Sequence, residues 1–240
     1  KGVLQRMKND LFSIGPFTVH GYGLMIAIGV LSAYYMVEYR AKKKQMDWEK
    51  VFPLTVWSVL GGFLGSKILY LLTRLPDILA NPALLGSSIK DGFVVYGGII
   101  GGILTAWIYC KCTKWNFWKI FDIAMPAVAM AQGFGRIGCL LAGCCYGIEL
   151  DPANPIGIVF HNSAYAPNDV ALLPTQIISS VLDFANCFVL LALSKKLKTD
   201  GQVASCYLIF YSIGRFVLEY FRGDLIRGNV GEFSTSQFIS

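Results

Sequence analysis

The stretch Ile120 to Leu141, IFDIAMPAVAMAQGFGRIGCLL, is long and apolar enough to cross a membrane as one helix. It runs into a second pattern, Phe134 to Gly147, FGRIGCLLAGCCYG, in which one arginine stands among glycines. A guanidinium at membrane depth is costly, so it persists where it faces a cavity, a partner or an anionic ligand. Because arginine presents a planar fork of donors that suits phosphate, the pattern predicts that Arg136 binds phosphate within the membrane.

The composition is that of a membrane protein. The 240 residues are 55% hydrophobic and 15% charged, whereas soluble domains carry roughly 25% charged residues. We therefore expect an all-α, polytopic integral membrane protein with six to seven transmembrane helices in a single domain, residues 1–240. The net charge of +6 comes largely from lysines and arginines in loops, as membrane topology requires, and predicts no nucleic-acid partner.

Basic residues alternate between the loops that join the apolar runs. The predicted runs are about Phe17–Tyr39, Val51–Leu72, Phe93–Cys110, Ile120–Leu141, Thr175–Leu193 and Val203–Phe221, with a possible seventh from Phe233. The loops Arg40–Lys50, Lys111–Lys119 and Lys195–Lys198 hold most of the loop lysines and arginines, which places them in the cytoplasm. The amino terminus and the loop region 143–175 are then predicted to be extracytoplasmic.

A second arginine stands in the sixth run. Arg215 and Glu219 are four residues apart and share one helix face, so they form an internal ion pair or Glu219 orients Arg215 toward a ligand. Arg222 follows one turn later. Both Arg136 and Arg215 are predicted near the outer ends of their helices, where together they would clamp one phosphodiester. The close glycines Gly135 and Gly138 would let a ligand approach.

Other candidate residues begin helices or interrupt apolar runs. Tyr96 precedes Gly97 and Gly98 at the outer start of a helix, either as an interfacial aromatic or facing a cavity as a proton donor. Tyr22 begins the first helix in a similar way. Lys67 lies too centrally among glycines to reach the interface easily, so we predict that it pairs or faces a cavity.

The seven cysteines leave a redox alternative open. No CxxC pair and no Cys/His cluster has zinc-like spacing, so the sequence predicts no metal and no cofactor. Small, reduced and buried thiols are the simplest interpretation. The adjacent Cys144 and Cys145 would alternatively serve a membrane thiol oxidoreductase, and an arginine clamp without chemistry would serve a lipid transporter.

An ordered set of motifs resembles the phosphatidylglycerol–prolipoprotein diacylglyceryl transferase family. The motifs are Tyr22–Gly23, GSKILY at Gly65–Tyr70, YGGIIGG at Tyr96–Gly102, GRIG at Gly135–Gly138, PTQ at Pro174–Gln176, YxxxRFxxExxR at Tyr211–Arg222 and STSQ at Ser234–Gln237. The resemblance implies a multi-pass enzyme of the bacterial cytoplasmic (inner) membrane. Such an enzyme moves a diacylglyceryl group from phosphatidylglycerol to the lipobox cysteine thiol of a prolipoprotein and releases glycerol phosphate.

The resemblance also implies roles for individual residues. Arg136 and Arg215 would hold the phosphate and stabilise the leaving group, Glu219 would support Arg215, and Tyr22 would line the lipid site. Catalytic roles are expected for Arg136, Arg215 and Tyr96, and substrate-binding roles for Tyr22, Lys67, Gly97, Gly98, Gly135, Gly138, Glu219 and Arg222. The expected partners are phosphatidylglycerol, the bilayer, and a prolipoprotein signal peptide or another acceptor.

Four positions depart from the family pattern. Tyr96 stands where most members have histidine, and a phenol is a poor general base at neutral pH. Cys139, Ala142 and Cys144 replace two asparagines and a glutamate. These changes leave the phosphate site intact and alter the acceptor side. A paralogous transferase with a different acceptor is therefore an alternative.

Overall fold

The chain folds into long helices joined by short hairpins and loops. The structure, a computed structural model, describes residues 10–14, 17–82, 86, 88–89, 92–161, 163–224, 229–230 and 233–234. The α-helices in these ranges are α1 (Gly21–Lys43), α2 (Val51–Thr73), α3 (Leu75–Ala80), α4 (Val95–Thr113), α5 (Phe117–Ala142), α6 (Thr175–Leu193) and α7 (Gln202–Glu219), with a 3₁₀ turn at Trp48–Lys50.

Five helical segments of the described ranges are long and apolar enough to cross a membrane: Gly21–Lys43, Trp48–Thr73, Val95–Thr113, Phe117–Ala142 and Thr175–Leu193. Their outer surfaces expose large apolar side chains; Phe63 on α2 is 63% exposed and Phe188 on α6 is 69% exposed. Extended apolar surfaces of this kind are buried in lipid. The prediction of an all-α, polytopic membrane protein is thereby confirmed.

Short antiparallel strands flank the helices. The strand β1 (Asp10–Ile14) pairs with β2 (Phe17–His20), so the helix that was predicted from Phe17 begins instead at Gly21. The β-branched Thr18 and Val19 favour the strand. The strands β3 (Ile158–Val159) and β4 (Ala171–Leu172) pair between α5 and α6, and β5 (Asn229–Val230) pairs with β6 (Phe233–Ser234). The remainder of the predicted seventh run and of the STSQ motif lies outside the described residues.

The chain divides into two compact units, one formed by Lys1–Met36 with Phe121–Ser240 and the other by Val37–Ile120. In the second unit, α2 and α4 pack through glycines. A Cβ placed on Gly97 would lie 2.6 Å from Cβ of Leu69 and would collide with the backbone of Gly65. One on Gly101 would come within 3.0 Å of the Gly65 Cα atom. Small residues therefore let the two backbones touch, as in other membrane helix pairs.

In the first unit, polar side chains tie α5 to α6 and α7. Ser180 Oγ on α6 donates to the Gly133 carbonyl at 2.9 Å, and Tyr207 Oη on α7 donates to Gln132 Oε1 at 2.9 Å. The same three helices share an apolar core that includes Ala129 and Leu190. Hydrogen bonds between helices compensate for the polar groups that the sequence places in apolar runs.

Asp122 on α5 caps the start of α7. Its Oδ2 accepts from the Gly201 N–H and its Oδ1 from the Ala204 N–H, both at 2.8 Å, and the residue is only 5% exposed. A carboxylate satisfies two of the orphan donors at a helix N-terminus and interacts favourably with the helix dipole. The cap comes from about eighty positions earlier in the chain, so it also sets where α7 begins relative to α5.

Candidate active site

A cavity of about 280 Å³ opens between α5, α6 and α7. Its wall is mostly apolar, with Leu182, Val189, Phe210 and Leu218 among its members. Six polar side chains interrupt this wall: Arg136, Ser179, Asp183, Asn186, Tyr211 and Arg215. The structure thus brings the two arginines of the predicted clamp to one cavity, although they lie on different helices and far apart in sequence.

Arg136 reaches the cavity from the last turns of α5. Its side chain is 22% exposed, and its Nε lies 3.9 Å from Oδ2 of Asp183 on α6. This separation is longer than a hydrogen bond, so the pair is electrostatic. Within the described residues, the Arg136 guanidinium makes no hydrogen bond to another side chain or to the backbone. The guanidinium is therefore partly neutralised while its donors stay available to a ligand.

Asp183 is the residue that the sequence interpretation missed. It is 7% exposed and is the only acidic residue in α6. A lone carboxylate in an apolar run is as costly in a membrane as a lone arginine, and that cost was the available signal. The sequence did not indicate which cation it faces, because the two residues are brought together only by the packing of α5 against α6.

Arg215 forms the ion pair that its spacing predicts. Its Nη2 lies 2.7 Å from Oε2 of Glu219, with side-chain exposures of 13% and 9%. Arg222 adds a second cation, since its Nε lies 3.9 Å from the same Glu219 oxygen. Glu219 therefore holds two arginines near the end of α7, which supports a positioning role for this carboxylate.

Arg222 belongs to an internal network. Its Nε and Nη2 donate to the two carboxylate oxygens of Asp224 at 2.7 and 2.5 Å. Burial would lower the pKa of Arg222, but the hydrogen bonds to Asp224 raise it above its ordinary value. The side chain is only 6% exposed and stays charged. Its predicted contact with substrate remains a prediction.

Two predicted glycines let α1 approach α5. A Cβ on Gly138 would lie 3.2 Å from the Tyr22 ring and 3.3 Å from Cβ of Met25. One on Gly135 would lie 3.7 Å from the Ile26 side chain. Tyr22, which is 44% exposed, therefore packs against Gly138 of the GRIG segment within α5. The glycines serve helix packing here, and their contact with substrate is still to be tested.

The loop after α5 is held by the PTQ tripeptide. Thr175 Oγ1 donates to the Cys145 carbonyl at 2.9 Å, and Gln176 Nε2 donates to the Cys144 carbonyl at 2.8 Å. Gly143 and Cys145 both have left-handed backbones, with φ of 72° and 60°. Such a conformation is uncommon for a cysteine and persists where the surroundings hold it.

Three thiols converge at this turn. The sulfur atoms of Cys139, Cys144 and Cys145 all lie within 4.8 Å of one another, and the three side chains are neither fully buried nor fully exposed. None of the three cysteines forms a disulfide. Hydrogen-bonding contacts with Cys139 and Cys145, together with burial, raise the pKa of the Cys144 thiol. A raised pKa disfavours the thiolate that the oxidoreductase alternative needs.

The remaining predicted residues lie in the second unit. Tyr96 is 40% exposed at the start of α4, while Gly97 and Gly98 contact α2. Lys67 Nζ donates to the carbonyls of Ser88 and Gly92, each at 3.1 Å. Lys67 therefore has the pairing partners that its position requires. The catalytic or substrate-binding roles of these four residues stay predictions.

The five membrane-length helices define a polytopic membrane protein, and two of them, α5 and α6, line with α7 a cavity that contains two arginines and a buried carboxylate. A sequence profile described as prolipoprotein diacylglyceryl transferase matches residues 9–240. This chain belongs to the prolipoprotein diacylglyceryl transferase family, as the motif resemblance indicates.

Individual relatives agree with the profile. The phosphatidylglycerol–prolipoprotein diacylglyceryl transferase of Clostridium tetani is 46% identical over 98% of this chain and 92% of its own length. A protein of the same name, numbered 2, from Clostridium perfringens is 45% identical over 98% of this chain and 90% of its own length. The Staphylococcus carnosus relative is 32% identical over 89% of this chain and 78% of its own length. The similarity therefore extends over nearly the whole chain.

Proposed function

We propose that this protein transfers the diacylglyceryl group of phosphatidylglycerol to the lipobox cysteine thiol of a prolipoprotein, in the bacterial cytoplasmic membrane. The names of the relatives at 45–46% identity support both substrates. The observation that carries the proposal is that Arg136 and Arg215 line one cavity, which α7 forms with the membrane-length helices α5 and α6. The basic loops support an extracytoplasmic amino terminus and loop region 143–175.

The size and charge of the cavity suit a lipid headgroup. Its volume of about 280 Å³ lies just below the roughly 300–1,000 Å³ that small-molecule sites occupy, so it suits the headgroup while the acyl chains stay in the lipid. Arg136 is only loosely paired with Asp183, at 3.9 Å. A phosphate that enters between Arg136 and Arg215 gains charge-assisted hydrogen bonds that are strong in a low-dielectric site.

The chemistry is a displacement at carbon. The acceptor sulfur forms a bond to the glycerol carbon of the diacylglyceryl group as the bond from that carbon to the phosphate oxygen breaks. The bonding electrons leave with glycerol phosphate, and the thiol proton passes to solvent or to a base. Negative charge grows on the departing oxygen, where Arg136 and Arg215 stabilise it more strongly than in the bound substrate.

Asn186 supplies a polar group for the headgroup alcohol. Its side chain lines the cavity, and the buried Oδ1 atom has no hydrogen-bond partner among the described residues. An unsatisfied buried acceptor costs about 1–3 kcal/mol, which a donor from a bound ligand recovers. The glycerol hydroxyls of phosphatidylglycerol are such donors. Asn186 therefore favours a headgroup that carries hydroxyls.

The other predicted residues have assisting roles in this proposal. Tyr22, which lies against Gly138 beside the GRIG turn, lines the path of the lipid. Glu219 orients Arg215 through their 2.7 Å ion pair. Tyr96 orients the acceptor, since a phenol is a poor base at neutral pH. The signal peptide of the prolipoprotein would present the acceptor cysteine.

The test is a transfer assay in proteoliposomes of phosphatidylglycerol with a lipobox peptide. Mass spectrometry should find glycerol phosphate together with a peptide heavier by one diacylglyceryl group. Arg136→Gln should abolish both products, while Arg74→Gln, which removes an exposed arginine paired with Asp77, should retain them. Full activity of folded Arg136→Gln protein would contradict the proposed site.

The same assay separates the other functions. A lipid transporter would move phosphatidylglycerol across the bilayer without releasing glycerol phosphate. A paralogous transferase would release glycerol phosphate and leave the peptide unmodified. A thiol oxidoreductase would release no glycerol phosphate and would show thiol–disulfide exchange that is lost when Cys144 and Cys145 are both replaced by alanine. Each of these outcomes would overturn the proposed acceptor or the proposed reaction.

A further inference from the structure

We infer that Cys139, Cys144 and Cys145 form a binding site for a thiophilic divalent cation such as Zn²⁺. The three sulfurs lie within 4.8 Å of one another. Zinc bound by thiolates at about 2.3 Å in tetrahedral geometry needs sulfur–sulfur separations of about 3.8 Å. Rotation of these short side chains can supply the remaining contraction. The sequence spacing of the three cysteines matches no zinc motif, but the fold brings their sulfur atoms close enough to bind one ion.

The backbone of this site is organised before any ligand arrives. Cys139 lies in the last turn of α5, and the left-handed residues Gly143 and Cys145 turn the chain back toward it. The Cys144 N–H donates to the Cys139 carbonyl at 3.1 Å, which closes the turn. Thr175 donates a hydrogen bond to the Cys145 carbonyl, and Gln176 donates one to the Cys144 carbonyl. A strained turn that several contacts hold in place is typical of a functional site.

A neighbouring arginine can offset the charge of the occupied site. A cation that binds here displaces the protons of the three thiols, and three thiolates with one divalent cation carry a net charge of −1. The guanidinium of Arg222 lies within hydrogen-bonding reach of Cys145 and can donate to its thiolate with N–H groups that Asp224 does not occupy. Donors of this kind stabilise ligating groups from the outer shell of a metal site.

An open fourth position would receive the acceptor thiol, an extension that rests on the proposed function. A zinc site with three protein ligands keeps one position for substrate, and a thiol that coordinates zinc is deprotonated. Cys139 is three residues beyond Arg136, so the two share one face of α5. Cys139 and Cys144 also stand where most family members carry polar residues. The cation would thus activate the thiol beside the arginines that hold the phosphate.

The probe is Cd²⁺ added to the full chain in detergent. Sulfur-to-cadmium charge transfer in the ultraviolet should saturate at one Cd²⁺ per chain. Cys139→Ser should weaken this binding at least about 100-fold, since outer-shell changes alone cost 10–100-fold. Cys206→Ser on α7 is the matched control and should bind as the unmodified protein does. A titration that is unchanged by Cys139→Ser, or no saturable band, would overturn the inference.

A second measurement needs no variant. Thiol alkylation counted by mass spectrometry should show that Zn²⁺ protects Cys139, Cys144 and Cys145 and leaves Cys112 reactive, because Cys112 is exposed. Protection of a different set would contradict the site.

The acceptor position is tested last. A lipobox peptide should alter the cadmium band, and its Cys→Ser version should leave the band unchanged. Equal effects of the two peptides, or full transfer activity after chelation, would overturn the open position while leaving the proposed function standing. Saturable Cd²⁺ binding by a protein without transferase activity would contradict the proposed function and leave the cation site standing.

Discussion

Two helix associations in this protein solve the same problem by different means. The pair α2 and α4 packs through Gly61, Gly65, Gly97 and Gly101, so that backbone meets backbone. The group α5, α6 and α7 is joined by polar side chains and leaves a cavity with two arginines. Glycine packing excludes everything else from an interface, whereas polar joints leave groups that a ligand can address. The first kind of contact stabilises a helix pair, and the second also leaves room for a ligand.

The largest expected effect is on the rate of transfer, through a residue that lines the cavity between α5, α6 and α7. Arg215→Gln removes a charged donor from the cavity and should lower the rate of transfer about 10²- to 10³-fold, as loss of one donor to a developing anion does elsewhere. The unfolding temperature should change little, because Glu219 keeps Arg222 as a partner at 3.9 Å. Transfer kinetics measure the expected loss of rate, and thermal unfolding measures the expected lack of change in stability. A large loss of stability with an unchanged rate per folded molecule would erase the contrast between the regions.

The glycine pair should respond in the opposite way. Gly97→Ala places a methyl group against Gly65 and Leu69 and should cost about 1–3 kcal/mol of stability through overpacking. Gly102→Ala is the control, because its new Cβ would meet atoms only at 3.5 Å or beyond. Unfolding in mild detergent measures both. If the two variants unfold alike, close backbone packing is not what stabilises this pair.

The cap that Asp122 forms on α7 is a polar contact between helices that takes no part in the proposed reaction. Asp122→Asn removes the charge that accepts from the Gly201 and Ala204 N–H groups and should cost about 1 kcal/mol of stability. Asp151→Asn, which alters an exposed turn in the loop after α5, should cost less. Thermal unfolding compares them. A loss of transfer rate beyond the loss of folded protein would assign Asp122 to the site.

The smallest effect is expected on headgroup selection. Asn186→Ala removes the carboxamide from the cavity and should raise the KM for phosphatidylglycerol about 5-fold, which corresponds to about 1 kcal/mol. The kcat should stay near its original value, because the contact is made equally in the ground and transition states. Ser205→Ala on α7, outside the cavity lining, serves as the control. A kcat that falls with an unchanged KM would contradict the assigned role.

The sequence predicted the helices well because apolar runs of membrane length have few alternatives. It was wrong at the start of α1, where pairing with β1 outweighs continuation of the helix through Phe17. It indicated Arg136 and Arg215 through the cost of a charge in an apolar run, and the structure places both at one cavity. Their roles in catalysis stay predictions until they are measured.

Features that depend on distant partners were not predicted. Asp183 and Asp122 each act on a residue many positions away, and the apolar runs that carry them look alike with or without those contacts. The clustering of Cys139, Cys144 and Cys145 was not predicted either, because their spacing matches no metal motif. Only the left-handed turn at Gly143 and Cys145, which local sequence does not specify, brings them together.

The cap on α7 has a consequence for biosynthesis. This helix carries Arg215 and Glu219 and is not among the five segments that qualify for membrane crossing by length and composition within the described ranges. A nascent segment of this kind partitions poorly into lipid by itself. Ribosomes make α5 and α6 first, so Asp122 and the side of the cavity that these two helices form precede α7. We therefore expect the translocon to release α7 against its finished neighbours, and the order of synthesis to be part of how this helix reaches the membrane.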